Sequence, residues 1–329
     1  MHPALSVIFF TAVSGTGYGL LFLLGLSLAI DPQMVERNEA LLVLATGMLC
    51  AAAGLTSSLL HLGQPQRAWR ALSQWRSSWL SREGVAALLS FAPVFALGFA
   101  LWRDAAASTL RACAIVLAVM TVITVFCTAK IYTSLKTVHA WHNAYVLPGY
   151  LLFGLLGGAA WLWALAAMTG ADDALVQRDL PILVTVLAAA CAMLKRFYWH
   201  FIDTTQHAST VESATGLGRY GAVRSVEAPH TEENYLTREM GFALARKHAA
   251  TLRVIALVLF AVLPVALALP ALIFRSTTLV IIHASVTALC VTAGIFVERW
   301  LFFAEAKHVV MLYYGSEHTR MSANLVYRR

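Results

Sequence analysis

Long apolar segments alternate with shorter polar ones along the whole chain. A bilayer core of about 30 Å requires about 20 apolar residues in a helix. Segments of that length predict eight membrane-spanning helices, so the fold class is all-α and the chain is a polytopic membrane protein. The predicted spans cover residues 4–30, 40–61, 84–102, 110–132, 145–168, 180–201, 250–271 and 277–303.

The composition agrees with this pattern. The chain has 329 residues, of which 59% are hydrophobic and 12% are charged, and its mean hydropathy is +0.70. In a soluble domain about 25% of residues are charged. The net charge of +7 also suits nucleic-acid binding, but the basic residues lie between apolar spans and are better explained as topology signals.

The connecting segments differ in charge between the two sides. Eight spans place both termini on one side, together with the loops near 61–84, 133–144 and 202–249, and these segments hold most of the Lys and Arg. The opposite loops are acidic or nearly neutral. The positive-inside rule therefore predicts that both termini and these three loops are cytoplasmic.

The domain organisation is simple. We expect residues 1–329 to form a single integral membrane domain, with 202–249 as a long cytoplasmic loop inside it. That loop has too few apolar residues to build a core. It is either a connector or a segment that orders against a partner.

A polar, Arg-rich stretch joins the second and third predicted spans. His61 closes one span and Glu83 opens the next, so a helical hairpin would hold both side chains at the same depth on the same face. An imidazole beside a carboxylate at the membrane edge suits the binding and protonation of a quinone head. The alternative is that both residues mark helix ends and meet lipid headgroups. Arg67 could hold an acidic partner, pair with Glu83 or bind phospholipid.

Two adjacent charges, Glu298 and Arg299, fall inside the last predicted span. One explanation is a buried ion pair that orders the helices. The other is a proton path or a contact with quinone.

Metal chemistry has little support in the residues. Each of the five cysteines lies in an apolar segment and no two have CxxC spacing, so no metal centre is expected. Haem b is the main rival because the sequence has 11 His, but they form no clear pattern of facing pairs at mid-membrane depth. A transporter would carry inverted repeats, and none is visible.

Four motifs are spread over the sequence. They are the opening Met-His-Pro-Ala-Leu-Ser-Val-Ile-Phe-Phe, the signature His61-Leu-Gly63-x-Pro65-x-Arg67-Ala68, Ser81-x-Glu83, and Glu298-Arg299-x-Leu-Phe-Phe303. Together with the eight spans, they resemble the membrane-anchor subunit of the dimethyl-sulfoxide-reductase type of complex iron–sulfur molybdoenzyme. The resemblance covers nearly the whole chain except the 202–249 loop.

The resemblance implies a quinone-reactive subunit of the bacterial cytoplasmic (inner) membrane without a metal centre of its own. Its partners would be a subunit with four iron–sulfur clusters of the 4Fe–4S type and a catalytic subunit with molybdenum cofactor. In that family the positions matching His61 and Glu83 serve quinol binding and oxidation. Arg67 belongs to the same signature.

The charge pattern points to one branch of this family. The best-known reductase anchors hold their catalytic subunits in the periplasm, whereas here the quinone-side loop is predicted to be cytoplasmic. The protein therefore looks like the branch that serves a cytoplasmic sulfite-oxidising molybdoenzyme, which would pass electrons to ubiquinone or menaquinone. The alternatives are a quinol-oxidising anchor of a dimethyl-sulfoxide or polysulfide-type reductase, and a haem b cytochrome subunit.

Overall fold

Eight long helices make up the membrane part of the protein. The computed structural model describes residues 4–60, 64–205, 209–223, 226, 244–273 and 276–313. Within these residues there are eight helices long and apolar enough to cross a membrane and no strand, which confirms the predicted fold class. In sequence order the helices are α1 (Leu5–Ile30), α2 (Arg37–Leu59), α3 (Trp79–Trp102), α4 (Ala107–Thr133), α5 (Val146–Thr169), α6 (Leu175–Thr204), α7 (His248–Ala271) and α8 (Thr277–Ala304).

Polar and helix-breaking residues explain most of the helix ends. Asp31 and Pro32 follow α1, and Gly170 ends α5 in the left-handed conformation, with φ 74°. Two helices begin five residues earlier than predicted: α3 begins at Trp79 rather than at residue 84, and α6 at Leu175 rather than at residue 180. The earlier start of α3 places Glu83 within the helix.

The 202–249 loop is described only in part. Its ends are helical, since α6 continues to Thr204 and helix resumes at Leu244. A short helix, Val211–Thr215, lies between them. Residues 206–208, 224–225 and 227–243 lie outside the described residues, so the prediction for this loop stays a prediction.

α1 lies in the middle of the bundle and packs against α2, α4 and α5. Its contact with α5 is so close that a Cβ atom on Gly19 would overlap the Gly154 carbonyl, and one on Gly158 would overlap the backbone of Gly19. Small residues allow helices to approach in this way in a membrane. A second group of helices, α6, α7 and α8, packs on the other face of α5 through α6 and α8.

The helices alternate in direction, so the bundle has two distinct ends. We call the end where α1 begins the N-side; α3, α5 and α7 also begin there, and α2, α4, α6 and α8 end there. Contacts between helices agree with this assignment. Arg253 near the start of α7 pairs with Asp203 near the end of α6, and Arg37 at the start of α2 pairs with Asp104 after α3 on the opposite side.

Candidate functional site

Glu83 is a buried carboxylate on the N-side of the bundle. Its side chain projects from the first turns of α3, and the residue is 5% exposed. The Oε1 atom accepts a hydrogen bond of 3.1 Å from the Thr128 hydroxyl of α4. Tyr18 of α1 and Tyr132 of α4 lie within electrostatic range of the carboxylate. Because an ionisable group inside a membrane is costly, this placement marks a candidate functional site.

Tyr18 of α1 also contacts α3 at a second position, further along the helix than Glu83. Its hydroxyl lies 3.3 Å from the Ser90 hydroxyl, and Ser90 follows Glu83 by two helical turns on the same face of α3. Tyr18 also lines an apolar groove of about 210 Å³ between α1, α4 and α5. The site therefore combines a carboxylate, four hydroxyl-bearing side chains and a nearby apolar surface.

His61 and Gly63 lie outside the described residues. The predicted pairing of His61 with Glu83 at one depth therefore stays a prediction. The end of α2 at Leu59 and the start of α3 at Trp79 both lie on the N-side.

Arg67 lies on a 3₁₀ segment, Pro65–Gln74, that connects α2 to α3. Its side chain is exposed, and no ion pair joins it to Glu83 in the part of the protein that the structure describes. Exposed Trp69 and Trp75 have the guanidinium groups of the following arginines over their rings, at 5.6 and 5.4 Å. Exposed tryptophan and arginine side chains are typical of a membrane interface.

Three hydrogen bonds hold this connecting segment against α3. The Ser81 hydroxyl donates to the Ala71 carbonyl. Arg82 donates from Nε to the Trp75 carbonyl at 2.9 Å and from Nη2 to the Arg76 carbonyl at 2.7 Å. The segment that contains Arg67 is thereby anchored to the same turn of α3 that carries Glu83.

Glu298 and Arg299 form a buried ion cluster with a third residue, Lys195 of α6. Lys195 Nζ lies 2.7 Å from Glu298 Oε1, and Arg299 Nε lies 2.5 Å from Glu298 Oε2. The side chains are 5%, 0% and 4% exposed for Lys195, Glu298 and Arg299. One carboxylate therefore faces two cations, and the cluster carries a net positive charge.

Sequence reasoning found Glu298 and Arg299 but missed Lys195. The available signal was a lysine inside an otherwise apolar span, which is rare unless it is paired or functional. Its partner could not be assigned, because the contact depends on which face of α6 meets α8.

Aromatic rings surround the ion cluster. The Arg299 guanidinium carbon lies 4.3 Å from the centre of the Tyr150 ring, and Lys195 Nζ lies 3.9 Å from that of Tyr198. Cations over aromatic faces are stabilised by the ring quadrupole, and more strongly in the absence of water. The Tyr150 hydroxyl and Arg299 Nη1 are buried near each other, but without the geometry of a hydrogen bond to a described residue.

A polar pocket of about 300 Å³ opens at the N-side ends of α6, α7 and α8. Arg253 lies in it between Asp203 and Glu305, with N···O distances of 2.6 and 2.8 Å. Burial raises the pKa of the Glu305 carboxyl above its ordinary value, although Arg253 opposes that effect. Burial also lowers the pKa of His139, which lines the same pocket.

The described residues contain no group of three or more His, Cys, Asp or Glu side chains arranged to hold a metal ion. Two of the histidines considered for haem make other contacts in the loop after α4. His139 Nε2 lies 2.7 Å from the Thr205 hydroxyl, and His142 Nδ1 lies 2.6 Å from the Thr133 carbonyl.

The fold and the buried charges define a multi-pass helical membrane protein in which all buried charged residues of the described part except Glu39 lie toward the N-side. The protein matches the family described as DMSO reductase anchor subunit (DmsC) over residues 1–315, and it belongs to that family. It is thus a membrane-anchor subunit of the DMSO reductase type, and the predicted resemblance is confirmed.

Two curated relatives illustrate the range of the family. The C subunit of sulfite dehydrogenase from Allochromatium vinosum is 32% identical over 333 residues, which cover 96% of this chain and 99% of that protein. The C component of the anaerobic dimethyl sulfoxide reductase of Escherichia coli K12 is 27% identical over 219 residues, which cover 66% of this chain and 75% of that protein. No solved structure matches the protein.

Proposed function

We propose that this protein is the quinone-reactive membrane anchor of a molybdenum and iron–sulfur oxidoreductase that oxidises sulfite in the cytoplasm. The observation that carries the proposal is the buried Glu83 carboxylate, which is bonded to Thr128 and lies near two tyrosines at the N-side of the bundle. The similarity to the C subunit of a sulfite dehydrogenase over nearly the full length of both proteins supports the choice of sulfite.

The proposed site assigns one role to each residue. His61 donates a hydrogen bond to a quinone carbonyl, and Glu83 supplies or accepts the proton. Thr128 holds the Glu83 carboxylate in one orientation. The quinone accepts two electrons from the iron–sulfur partner and two protons to become quinol. The apolar groove beside Tyr18 suits a lipid-soluble molecule that enters from the bilayer.

We further propose that the N-side faces the cytoplasm of a bacterial inner membrane and binds both the iron–sulfur and the molybdopterin subunit. The segment between α2 and α3 carries several exposed arginines on the N-side, whereas the loop after α1 and the loop before α6 carry carboxylates. Reporter fusions after residue 329 and inside the loop at 171–174 would test this orientation. A periplasmic C-terminal reporter would contradict it.

The site itself is tested by Glu83→Gln and His61→Ala in the intact complex, with sulfite as electron donor and a quinone analogue as acceptor. General acid–base groups contribute about 100-fold or more to a rate, so we expect a loss of that order in quinone-linked turnover. Activity with an artificial acceptor, which bypasses the anchor, should be unchanged.

Glu39→Gln provides a matched control. Glu39 is also a buried glutamate, 8% exposed, but it lies at the opposite end of the bundle. Its replacement should leave quinone-linked turnover unchanged. If Glu83→Gln and His61→Ala both assemble and retain normal quinone coupling, the site assignment is wrong. If the complex instead reduces dimethyl sulfoxide with quinol and does not oxidise sulfite, the proposed direction of electron flow is wrong.

A further inference from the structure

A line of buried polar side chains crosses the N-side half of the bundle from Glu83 to the polar pocket at Glu305. Its members come from α3, α4, α5, α6 and α8, with Glu305 directly after α8, so it passes through both groups of helices. Buried polar groups are expensive in a membrane and are usually paired or functional. We call this set the relay line: Glu83, Tyr132, Tyr150, Arg299, Glu298, Lys195 and Glu305.

The first part of the line is a tyrosine pair. Tyr132 lies within electrostatic range of both Glu83 and Tyr150. The two rings are stacked, with centroids 5.6 Å apart and an angle of 16° between their planes. Both residues are buried, at 8% and 6% exposure. The pair therefore connects the side of α4 that faces Glu83 to the side of α5 that faces Arg299.

Two small cavities flank Tyr150 and Arg299. One, of about 10 Å³, is bounded by Lys195, Glu298 and Tyr198. The other, also of about 10 Å³, is bounded by Thr11 and Thr16 of α1, where a π-helical turn, Phe10–Ser14, interrupts the regular helix. Each cavity has room for a water molecule, and buried hydroxyl and guanidinium groups without a direct partner are the groups that such waters bridge.

The last part of the line leads to the surface. Lys195 bonds Glu298 and interacts electrostatically with Glu305, and Glu305 lines the polar N-side pocket. The Trp199 ring contacts both cationic groups at this point, with its centre 5.0 Å from Lys195 Nζ and 5.5 Å from the Arg253 guanidinium carbon. An ammonium group on a flexible stem has three donors and can reorient between two acceptors.

We propose that the relay line carries protons from the N-side pocket to Glu83, with Lys195, Tyr150 and Tyr132 as the transferring groups. The inference rests on the proposed function, because it requires a reaction beside Glu83 that consumes protons. For each quinone that accepts two electrons from the iron–sulfur partner, two protons leave the water of the pocket and two bind to the quinone oxygens. Arg299 stays charged and acts as a positioning residue that orients Glu298 and Tyr150.

Tyr132→Phe and Tyr150→Phe test the line with little change in packing, since each removes one hydroxyl and keeps the ring. In the intact complex, we expect a loss of at least several-fold in sulfite-to-quinone turnover and an increased solvent isotope effect in D₂O. Activity with an artificial acceptor should be unchanged. Small membrane-permeant weak acids should restore part of the lost turnover, which they would not do for a merely structural defect.

Tyr198→Phe is the matched control. Tyr198 borders the same cavity and is equally buried, but its hydroxyl donates a hydrogen bond of 3.1 Å to the Ala140 carbonyl and so does not continue the line. This variant should retain the turnover and isotope effect of the unmodified complex. Co-purification of the partner subunits and the thermal midpoint identify variants that fail to assemble, and Lys195→Met then provides an independent interruption of the line.

The outcomes separate the two proposals. If Tyr132→Phe, Tyr150→Phe and Lys195→Met all retain full quinone turnover with an unchanged isotope effect, the relay line does not carry protons. If Glu83→Gln is impaired in that case, the quinone site remains and only the relay is overturned. If Glu83→Gln itself has no effect, the proposed function fails first.

Discussion

Lys195 and Glu298 form an ion pair of 2.7 Å between α6 and α8, and both side chains are almost fully buried. The second oxygen of the same carboxylate faces Arg299 at 2.5 Å. The two cations therefore depend on a single anion. Removing the anion should therefore change the stability of the protein more than removing one of the cations.

We predict that Glu298→Gln destabilises the protein far more than Lys195→Met. Loss of the carboxylate leaves two buried cations without a counter-charge, and breaking a buried pair in this way costs about 3–5 kcal/mol. Lys195→Met instead leaves Glu298 and Arg299 as a neutral pair. The midpoint of thermal unfolding in detergent should fall much more for Glu298→Gln.

The pair of Arg178 and Asp179 offers a control at the protein surface. Its side chains are 67% and 50% exposed, and exposed ion pairs contribute about 0–1 kcal/mol. Asp179→Asn should therefore change the midpoint very little. Equal losses for Lys195→Met and Glu298→Gln would contradict the idea that one anion compensates both cations.

We predict that Gly19→Ala disrupts the contact between α1 and α5. The added methyl group would overlap the Gly154 carbonyl, which belongs to a helix backbone and cannot yield as a flexible side chain can. Overpacking of this kind costs about 1–3 kcal/mol. The thermal midpoint of the purified protein in detergent should fall accordingly.

Gly15→Ala in the same helix is the matched control. A Cβ atom at position 15 meets nothing within 4 Å, and alanine favours a helix over glycine by about 1 kcal/mol. Stability should be unchanged or increased. Because helix propensity favours alanine at both positions, a similar loss for both variants would contradict the assignment of the Gly19→Ala effect to the close approach of α1 and α5.

We predict that acidification loosens the segment after α8. His308 Nδ1 accepts a hydrogen bond of 3.0 Å from the Val310 amide, which requires a neutral imidazole at that atom. Burial lowers the pKa of His308 from its ordinary value of 6.5. His308 therefore binds a proton more readily when the segment after α8 is detached than when it is packed. The stabilisation of the packed segment is present above pH 6.5 and is lost as the pH falls below it.

Hydrogen exchange measured by mass spectrometry should report this opening. The adjacent Val309 amide donates to the Thr137 carbonyl at 3.1 Å, and we expect protection factors around both amides to fall as the pH is lowered from about 7 to about 5. His308→Asn keeps a side-chain acceptor for the amide two residues on but does not titrate. Persistence of the pH dependence in His308→Asn would exclude His308 as its source.

Helix ends were predictable where a breaker ends an apolar run, as at Asp31 and Pro32. They were less predictable where a helix begins with polar residues. Ser78-Trp-Leu-Ser-Arg-Glu-Gly84 is too polar to be recognised as part of a span, yet α3 begins at Trp79. Contacts of Ser81 and Arg82 with the preceding 3₁₀ segment stabilise this first turn.

In the candidate site, too, some residues could be predicted from the sequence and others could not. Glu83, Glu298 and Arg299 were recognised because charged residues are conspicuous near the ends of apolar spans. Thr128, Tyr132 and Tyr150 were not, because hydroxyl-bearing residues occur throughout membrane helices. Their importance depends on the helix that each one faces.

By itself the sequence determined the number of spans, the side that carries the basic loops, and the family. These properties depend on local composition, since about 20 apolar residues suffice to cross a bilayer whatever their neighbours are. Only the tertiary structure decided which helix faces meet, and hence the pairing of Lys195 with Glu298, of Thr128 with Glu83, and the stacking of Tyr132 on Tyr150. Helices that meet lipid on one face and protein on another are apolar on both, so their sequences do not encode an inward face as an amphipathic helix in water does.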